Sequence, residues 1–143
     1  MGSELSRQLT QRFFRYLAIT SQSDPKVKTL PSTPGQHDMA RELAKELEML
    51  GLDDIVIDEF ATVTAVKKGN VPGAPRIGFI THIDTVDVGL SPDIHPQILT
   101  FTGDDLCLNK EKDIWLRVNE HPEILAYPDE EIIFRSEERR VGK

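Results

Sequence analysis

Apolar residues recur at helical spacing in two early segments of the chain. The first segment covers residues 4–20, where charged and amide side chains separate the apolar positions. Its apolar stripe consists of Leu5, Leu9, Phe13, Tyr16 and Leu17. A stripe repeating every three to four residues is typical of a helix with one face against a core. The pattern therefore predicts an amphipathic helix over residues 4–20.

A second helix is predicted from its start and stop signals as well as from its stripe. Thr33 and Gln36 have the spacing of a capping box, and Pro34 occupies the first helical position. Gly51 suits the left-handed position that follows a helix. The buried stripe between these signals consists of Met39, Ala40, Leu43, Leu47 and Leu50.

After Gly51 the hydrophobic period shortens to about two, which is typical of strands. The runs DIVIDEF (54–60) and TVTAVKK (62–68) are short and rich in β-branched residues, and RIGFITH (76–82) predicts a more buried strand. Residues 90–134, with scattered prolines, predict an extended connecting region with short strands. Two helices followed by three strands predict an α/β fold with a sheet that is at least partly mixed.

Composition narrows the class of protein. The 143 residues carry a formal charge of -7, and this charge makes a nucleic acid an unexpected partner because phosphate binding needs a basic surface. No segment is apolar enough to predict a membrane span. The single cysteine, Cys107, has no partner for an internal disulfide or a CxxC metal site, and this fits a reducing, cytoplasmic setting.

The last nine residues, RSEERRVGK (135–143), differ from the rest of the chain in charge. They carry four basic and two acidic side chains, net +2, so residues 1–134 carry -9. The tail fits two interpretations, a solvated terminus or a segment foreign to the preceding sequence. We accordingly divide the chain into residues 1–134 and residues 135–143.

The strongest candidate chemistry lies at the end of the predicted third strand. Side chains two apart on a strand share a face, so His82 and Asp84 point to the same side. A neutral imidazole binds a metal through one nitrogen, and a carboxylate on its other nitrogen fixes the tautomer. Open α/β sheets also place ligand sites at the carboxyl ends of strands. His82 is therefore a candidate metal ligand, although a hydrogen-bonded pair on a wet surface is the alternative.

Other residues are weaker candidates. One histidine with one supporting carboxylate does not hold a zinc ion, which needs about four ligands. The remaining histidines fit solvated or loop positions, and Cys107 fits a small apolar residue between two leucines. No GxSxG, Walker A or GxGxxG sequence is present, so serine hydrolase, P-loop and dinucleotide-binding functions lack their usual motifs.

An ordered series of short motifs resembles the peptidase T family, the zinc-dependent tripeptide aminopeptidases among the M20 metallopeptidases. The series consists of TSQSD (20–24), PSTPGQ (31–36), LGL (50–52), NVPGAPRIGFITHIDT (70–85), HPQIL (95–99) and GDD (103–105). The similarity extends from about Phe13 to Phe134.

The resemblance implies an α/β/α catalytic domain that holds two zinc ions, with a smaller inserted lid domain. It implies release of the N-terminal residue of a short peptide by metal-activated water. His82 would be a zinc ligand, and Asp84 would be the catalytic aspartate that orients its ring. Only this one zinc ligand is identifiable in the chain. The resemblance implies a short peptide as the substrate, and it leaves open a homodimer of the intact protein.

The family's bridging aspartate follows a segment like DEEIIF (129–134), where this chain has residues 135–143 instead. We therefore expect residues 1–134 to be the incomplete N-terminal part of an α/β/α zinc-peptidase domain with a mixed sheet, and inactive alone. Glu130 and Glu131 precede that point and do not match the family's Glu-Glu pair. Two alternatives stay open, a truncated non-catalytic module and a related M20 deacylase or carboxypeptidase. PSTPGQ and the NVPGAP run favour the tripeptidase.

Overall fold

A computed structural model describes residues 4–87 and 94–135. The elements in these ranges are α1 (Glu4–Leu17), α2 (Pro34–Met49), β1 (Asp53–Ile57), β2 (Val63–Val66), β3 (Pro96–Thr100), β4 (Leu106–Asn109), β5 (Ile114–Leu116), a short 3₁₀ helix (Pro122–Ala126) and β6 (Glu131–Arg135). The tail that the sequence sets apart lies outside the described residues except for Arg135, so the division after residue 134 stays a prediction.

The described residues fall into two compact units. One unit contains residues 19–87, and the other contains residues 4–18 together with 94–135. The first holds α2, the β1–β2 hairpin and the segment with His82, and the second holds α1 and the remaining strands.

Helix α2 begins and ends close to the predicted residues. Gly51 has a φ of 72°, and the amides of Leu50 and Gly51 donate to carbonyls of the last turn, as a helix ending in a left-handed glycine requires. The capping contact differs from the prediction by one residue. Gln36 Oε1 accepts the amide of Ser32 at 2.9 Å, whereas the Thr33 hydroxyl donates to the Gln22 carbonyl at 2.8 Å. Thr33 therefore ties the helix start to the preceding loop.

Helix α2 packs on the antiparallel hairpin formed by β1 and β2, the two short strands predicted after Gly51. Met39 and Ala40 are buried on the helix, and Ala61 is buried in the hairpin turn. The Asp58 carboxylate holds this turn, because its Oδ1 accepts the amides of Phe60 at 2.9 Å and Thr62 at 2.7 Å. The core of the first unit therefore lies between the apolar face of α2 and the β1–β2 hairpin, whose turn is held by Asp58.

The prediction of a buried strand at residues 76–82 is wrong. This segment forms no strand, and Ile77, Phe79 and Ile80 are 78%, 95% and 101% exposed. A strand forms only when its amides and carbonyls pair with a neighbour, and none of the described segments pairs with residues 76–82. An apolar run read from sequence alone cannot reveal whether that neighbour is present.

The mixed sheet is also not seen among the described residues. Their strands form three separate two-stranded antiparallel sheets, β1–β2, β3–β6 and β4–β5. The parallel pairing in the described ranges is one isolated bridge between Gln22 and Thr85. Two helices with small antiparallel sheets are compatible with an incomplete α/β domain.

The second unit is organised around the β3–β6 pair. Five residue pairs connect these strands in unbroken register, from Pro96 opposite Arg135 to Thr100 opposite Glu131. Phe101, directly after β3, is completely buried, and its backbone bonds to the amide of Asp129 and the carbonyl of Glu130. Helix α1 ends at Leu17, three residues before the predicted limit, and has no buried residue.

Candidate functional site

His82 and Asp84 lie in direct contact. The Nδ1 atom of the His82 ring is 2.8 Å from the Asp84 carbonyl oxygen and 3.2 Å from the Asp84 carboxylate oxygen Oδ1. Both neighbours are acceptors only, so Nδ1 must carry the proton and donate. In the neutral ring the lone pair available to a metal is then on Nε2.

The contact joins two residues that are two positions apart in a segment that forms no strand. The ring of His82 is 83% exposed, whereas the Asp84 side chain is 38% exposed, so the carboxylate is the more enclosed partner. The next residue is fixed from two sides, because the Thr85 amide donates to Ser21 at 3.3 Å and the Thr85 carbonyl accepts from Ser23 at 2.9 Å. Asp84 therefore precedes an anchored backbone position.

The loop that anchors Thr85 is itself held by the start of helix α2. Besides the Thr33 bond to Gln22, the Asp24 amide donates to the Ser32 hydroxyl at 3.0 Å. Gly35 lies so close that a Cβ atom built on it would be 1.7 Å from the Thr20 carbonyl oxygen. The glycine is thus needed for close backbone approach rather than for an unusual φ.

Three motifs that are separate in the sequence therefore meet in one place. Residues 20–24 lie between the helix start at residues 31–36 and the segment that ends in Thr85. The sequence identified all three as part of one series, but nothing in it indicated that Thr85 and Ser21 form the link. Ser21 is 1% exposed, and its hydroxyl has no hydrogen-bond partner among the described residues.

The described residues do not form a metal site by themselves. They contain no group of three or more histidine, cysteine, aspartate or glutamate side chains arranged to hold an ion. Zinc needs about four ligands, and the His82–Asp84 contact leaves one ring nitrogen, Nε2, free to bind a metal. The pair has the chemistry of one zinc ligand with its supporting carboxylate. The ranges that the structure describes contain no group of further ligands around it.

Two of the other three histidines, His121 and His37, have local contacts. The His121 ring is 3.3 Å from Glu123. The pKa of Glu123 is held below its usual value first by a hydrogen bond from its own backbone amide and then by His121. His37 lies in the first turn of α2 and acts on Asp58 through its charge. His121 directly precedes the 3₁₀ helix, in agreement with its predicted loop position, whereas His37 is half-buried.

Sequence comparison finds relatives named peptidase T-like and peptidase T. The chain is 74% identical over 134 residues to a peptidase T-like protein of Yersinia pestis, covering 94% of this chain and 33% of the relative. Over nine tenths of its length, the chain is homologous to peptidase T. A peptidase T-like protein of Rhizobium meliloti is 59% identical over 126 residues, covering 88% of the chain and 31% of the relative.

A protein named peptidase T, from Geobacillus kaustophilus, is 37% identical over 131 residues, covering 90% of the chain and 32% of the relative. The resemblance to peptidase T that the motifs predicted is thus confirmed. The chain spans about a third of the length of the curated relatives it matches. No protein-family model matches it. Among the described residues, no helix is long and apolar enough to cross a membrane.

Proposed function

We propose that this chain is part of a zinc-dependent aminopeptidase that releases the N-terminal residue of tripeptides. The observation that carries the proposal is the His82–Asp84 contact, which leaves Nε2 as the metal-binding nitrogen in a chain homologous to peptidase T. The finer parts of the proposal are an α/β/α domain with a mixed sheet, two zinc ions, a short peptide substrate and a cytoplasmic setting.

In this proposal the chain's own residues position one ligand. Asp84 accepts the Nδ1 proton of His82, which fixes the tautomer, limits rotation of the ring and raises the basicity of Nε2. The anchored backbone of Thr85 limits how far Asp84 moves. Zinc in such a site supplies a Lewis acid and an activated water. Asp84 therefore acts on the reaction through His82.

We further propose that the 143-residue chain has no peptidase activity of its own. The described residues supply one zinc ligand where about four are needed, and the curated relatives are about three times as long as the matched region. Zinc-dependent release of the N-terminal residue from a tripeptide by the purified chain, lost in His82→Ala, would contradict this.

The metal role of His82 is best tested in a chimera. The matched 134 residues of this chain replace their counterpart in the Yersinia pestis relative, and the product is assayed for zinc content and for cleavage of a tripeptide. We expect the chimera to cleave the tripeptide. His82→Ala should lower zinc content and abolish activity, whereas Asp84→Asn should weaken zinc affinity about 10- to 100-fold, as loss of a supporting ligand contact usually does.

His121→Ala is the matched control, because its ring also contacts a carboxylate two residues away. It should leave zinc content and activity unchanged. Full zinc content and activity in His82→Ala would overturn the proposed role. Cleavage of acyl-amino acids in preference to tripeptides would instead favour a deacylase or carboxypeptidase with the same metal corner.

A second candidate function is a truncated, non-catalytic module that associates with copies of itself. The observation that favours it is the run of exposed apolar side chains at Ile77, Phe79 and Ile80. Large exposed apolar groups in sequence proximity commonly mark an interaction surface or an aggregation hazard. A homodimer of the intact protein is a separate proposal, which sedimentation of the full-length relative would test.

A further inference from the structure

A charged cleft lies at the open end of the β4–β5 hairpin, in the unit that does not contain His82. Leu106 pairs with Leu116, so the residues just outside the hairpin, Asp105 and Arg117, face each other. Arg117 Nη1 is 3.3 Å from Asp105 Oδ2, and the Val118 amide donates to Asp105 Oδ1 at 2.8 Å. Both carboxylate oxygens of Asp105 are thus engaged, and the guanidinium is braced in place.

Arg117 keeps capacity for a ligand. A guanidinium has five N–H donors in a rigid fork, and the contact with Asp105 engages those on Nη1. The Arg117 side chain is 49% exposed and lines a shallow, open cleft of about 810 Å³. A braced and partly exposed arginine is suited to a carboxylate.

The rest of the cleft restricts the kind of ligand. Asp104 lies on its wall and has no ion pair among the described residues, while Val118, Pro122 and Leu125 supply apolar surface. Leu125 is held toward the cleft by a 3₁₀ helix whose neighbouring residue, Ile124, is buried. Asp104 repels a simple anion, and Arg117 repels a simple cation.

We propose that this cleft binds a small zwitterion with an aliphatic side chain, as in a free amino acid or a short peptide. The ligand's carboxylate lies on Arg117, its ammonium lies on Asp104, and its side chain contacts Leu125. The site is assigned from these side chains alone. It requires no metal and no catalysis, so its failure and the failure of the proposed function are separable.

The test is an NMR titration of the full 143-residue chain with four probes. L-leucine carries both charges, leucinamide lacks the carboxylate, N-acetyl-leucine lacks the ammonium, and glycyl-leucine separates the two groups along a peptide. We expect leucine or glycyl-leucine to shift the amide signals of Gly103, Val118 and Asn119 in a saturable way. Whichever of the two binds more tightly identifies the source as an amino acid or a peptide. Leucinamide and N-acetyl-leucine should bind about tenfold more weakly, the usual effect of losing one charged hydrogen-bonded arm.

Two variants test the carboxylate contact and the ammonium contact separately. Arg117→Gln should weaken leucine about tenfold, and Asp104→Asn should weaken leucine while strengthening N-acetyl-leucine, because an anion is no longer repelled. Arg41→Gln is the matched control, since Arg41 also forms an exposed pair with an aspartate, Asp38. Its affinity should equal that of the wild type. If Arg117→Gln unfolds and its spectrum loses dispersion, the Asp104→Asn variant and the four probes still test the proposal. Equal shifts with all four probes, or no saturable shift with leucine and glycyl-leucine, would overturn the proposal.

Discussion

At the residue scale, Gly35 is the position where helix α2 and the preceding loop come closest. A methyl group there would overlap the Thr20 carbonyl, and that carbonyl belongs to backbone that cannot rotate away as a flexible side chain does. We expect Gly35→Ala to lower the free energy of unfolding by about 1–3 kcal/mol, the usual cost of overpacking. The amide signals of Ser21 and Thr85 should shift as well, because the same loop anchors Thr85.

Gly69→Ala is the control for this substitution. Gly69 has open space around its Cβ position, so the same chemical change should alter stability by about 0.5 kcal/mol or less. Urea denaturation and an amide spectrum of both variants check the expectation. Equal stability of the two variants would show that the close approach at Gly35 carries no energetic weight.

Asp58 gives a prediction about pH. The amide of Thr62 is the main reason that the pKa of the Asp58 carboxyl lies below its usual value of 3.8, with smaller help from Phe60 and from the charge of His37. A lowered folded-state pKa means that the carboxylate stabilises the turn fully above the unfolded value. That contribution is lost as the pH falls through the lower folded value.

The carboxyl carbon of Asp58 should therefore titrate with a midpoint below 3.8. Asp58→Asn keeps an oxygen acceptor for the turn but removes the titration, so the variant should lose less stability than the wild type as the pH falls through this range. Thermal unfolding at a series of pH values makes the comparison. A wild-type midpoint above 3.8, or identical pH profiles for the two proteins, would contradict the role of Asp58.

Residue-scale features differ in how far sequence can predict them. The His82–Asp84 contact is predictable because the two residues are only two positions apart in the chain. The cap of α2 is harder to predict, because Ser32 and Thr33 both carry a hydroxyl. The Gln22 carbonyl accepts the Thr33 hydroxyl, and the Ser32 hydroxyl is then the one that contacts Gln36. The Thr85 anchor depends on contacts across more than 60 positions of the chain, which no local pattern carries.

At the element scale, Phe101 is the residue on which the second unit most depends. It is completely buried after β3, and its backbone bonds to the turn that precedes β6. Phe101→Ala should cost about 3–5 kcal/mol, the usual range for a buried aromatic side chain. Amide hydrogen exchange in β3 and β6 measures this directly.

Phe60→Ala is the comparison, because that ring is more than half exposed and little apolar burial is lost with it. We expect faster exchange in β3 and β6 for Phe101→Ala, and exchange like that of the wild type in those strands for Phe60→Ala. Unchanged protection after Phe101→Ala would mean that the ring is not the core of this unit.

Elements defined by local pattern were the predictable ones. Both helices and the β1–β2 hairpin follow from apolar spacing, start and stop residues and a short polar turn. The β3–β6 pair joins segments about 30 residues apart, and no spacing within either strand reveals that register. The run at residues 76–82 shows the opposite error, since strong strand propensity does not create a partner.

At the scale of the whole molecule, the exposed run Ile77 to Ile80 sets the expected solution behaviour. Phe79 and Ile80 are essentially fully exposed, and strand-forming apolar segments without a partner tend to pair with another chain. We expect the purified 143-residue chain to associate increasingly with concentration. The double variant Phe79→Lys and Ile80→Lys should shift its sedimentation toward the monomer, because charge on such a segment opposes pairing.

The matched control is Leu30→Lys, which adds a lysine at another exposed apolar position, 72% exposed, in a loop outside the run. Leu30→Lys should sediment like the wild type, because it adds a charge but leaves residues 76–82 unchanged. Each lysine brings the acidic chain nearer neutrality, which favours association, so net charge alone cannot explain a loss of association. Equal loss of association in both variants would therefore contradict a specific role of residues 76–82. A monomeric wild type at all concentrations would show that residues 76–82 are not an association site, and would remove the observation favouring a self-associating module.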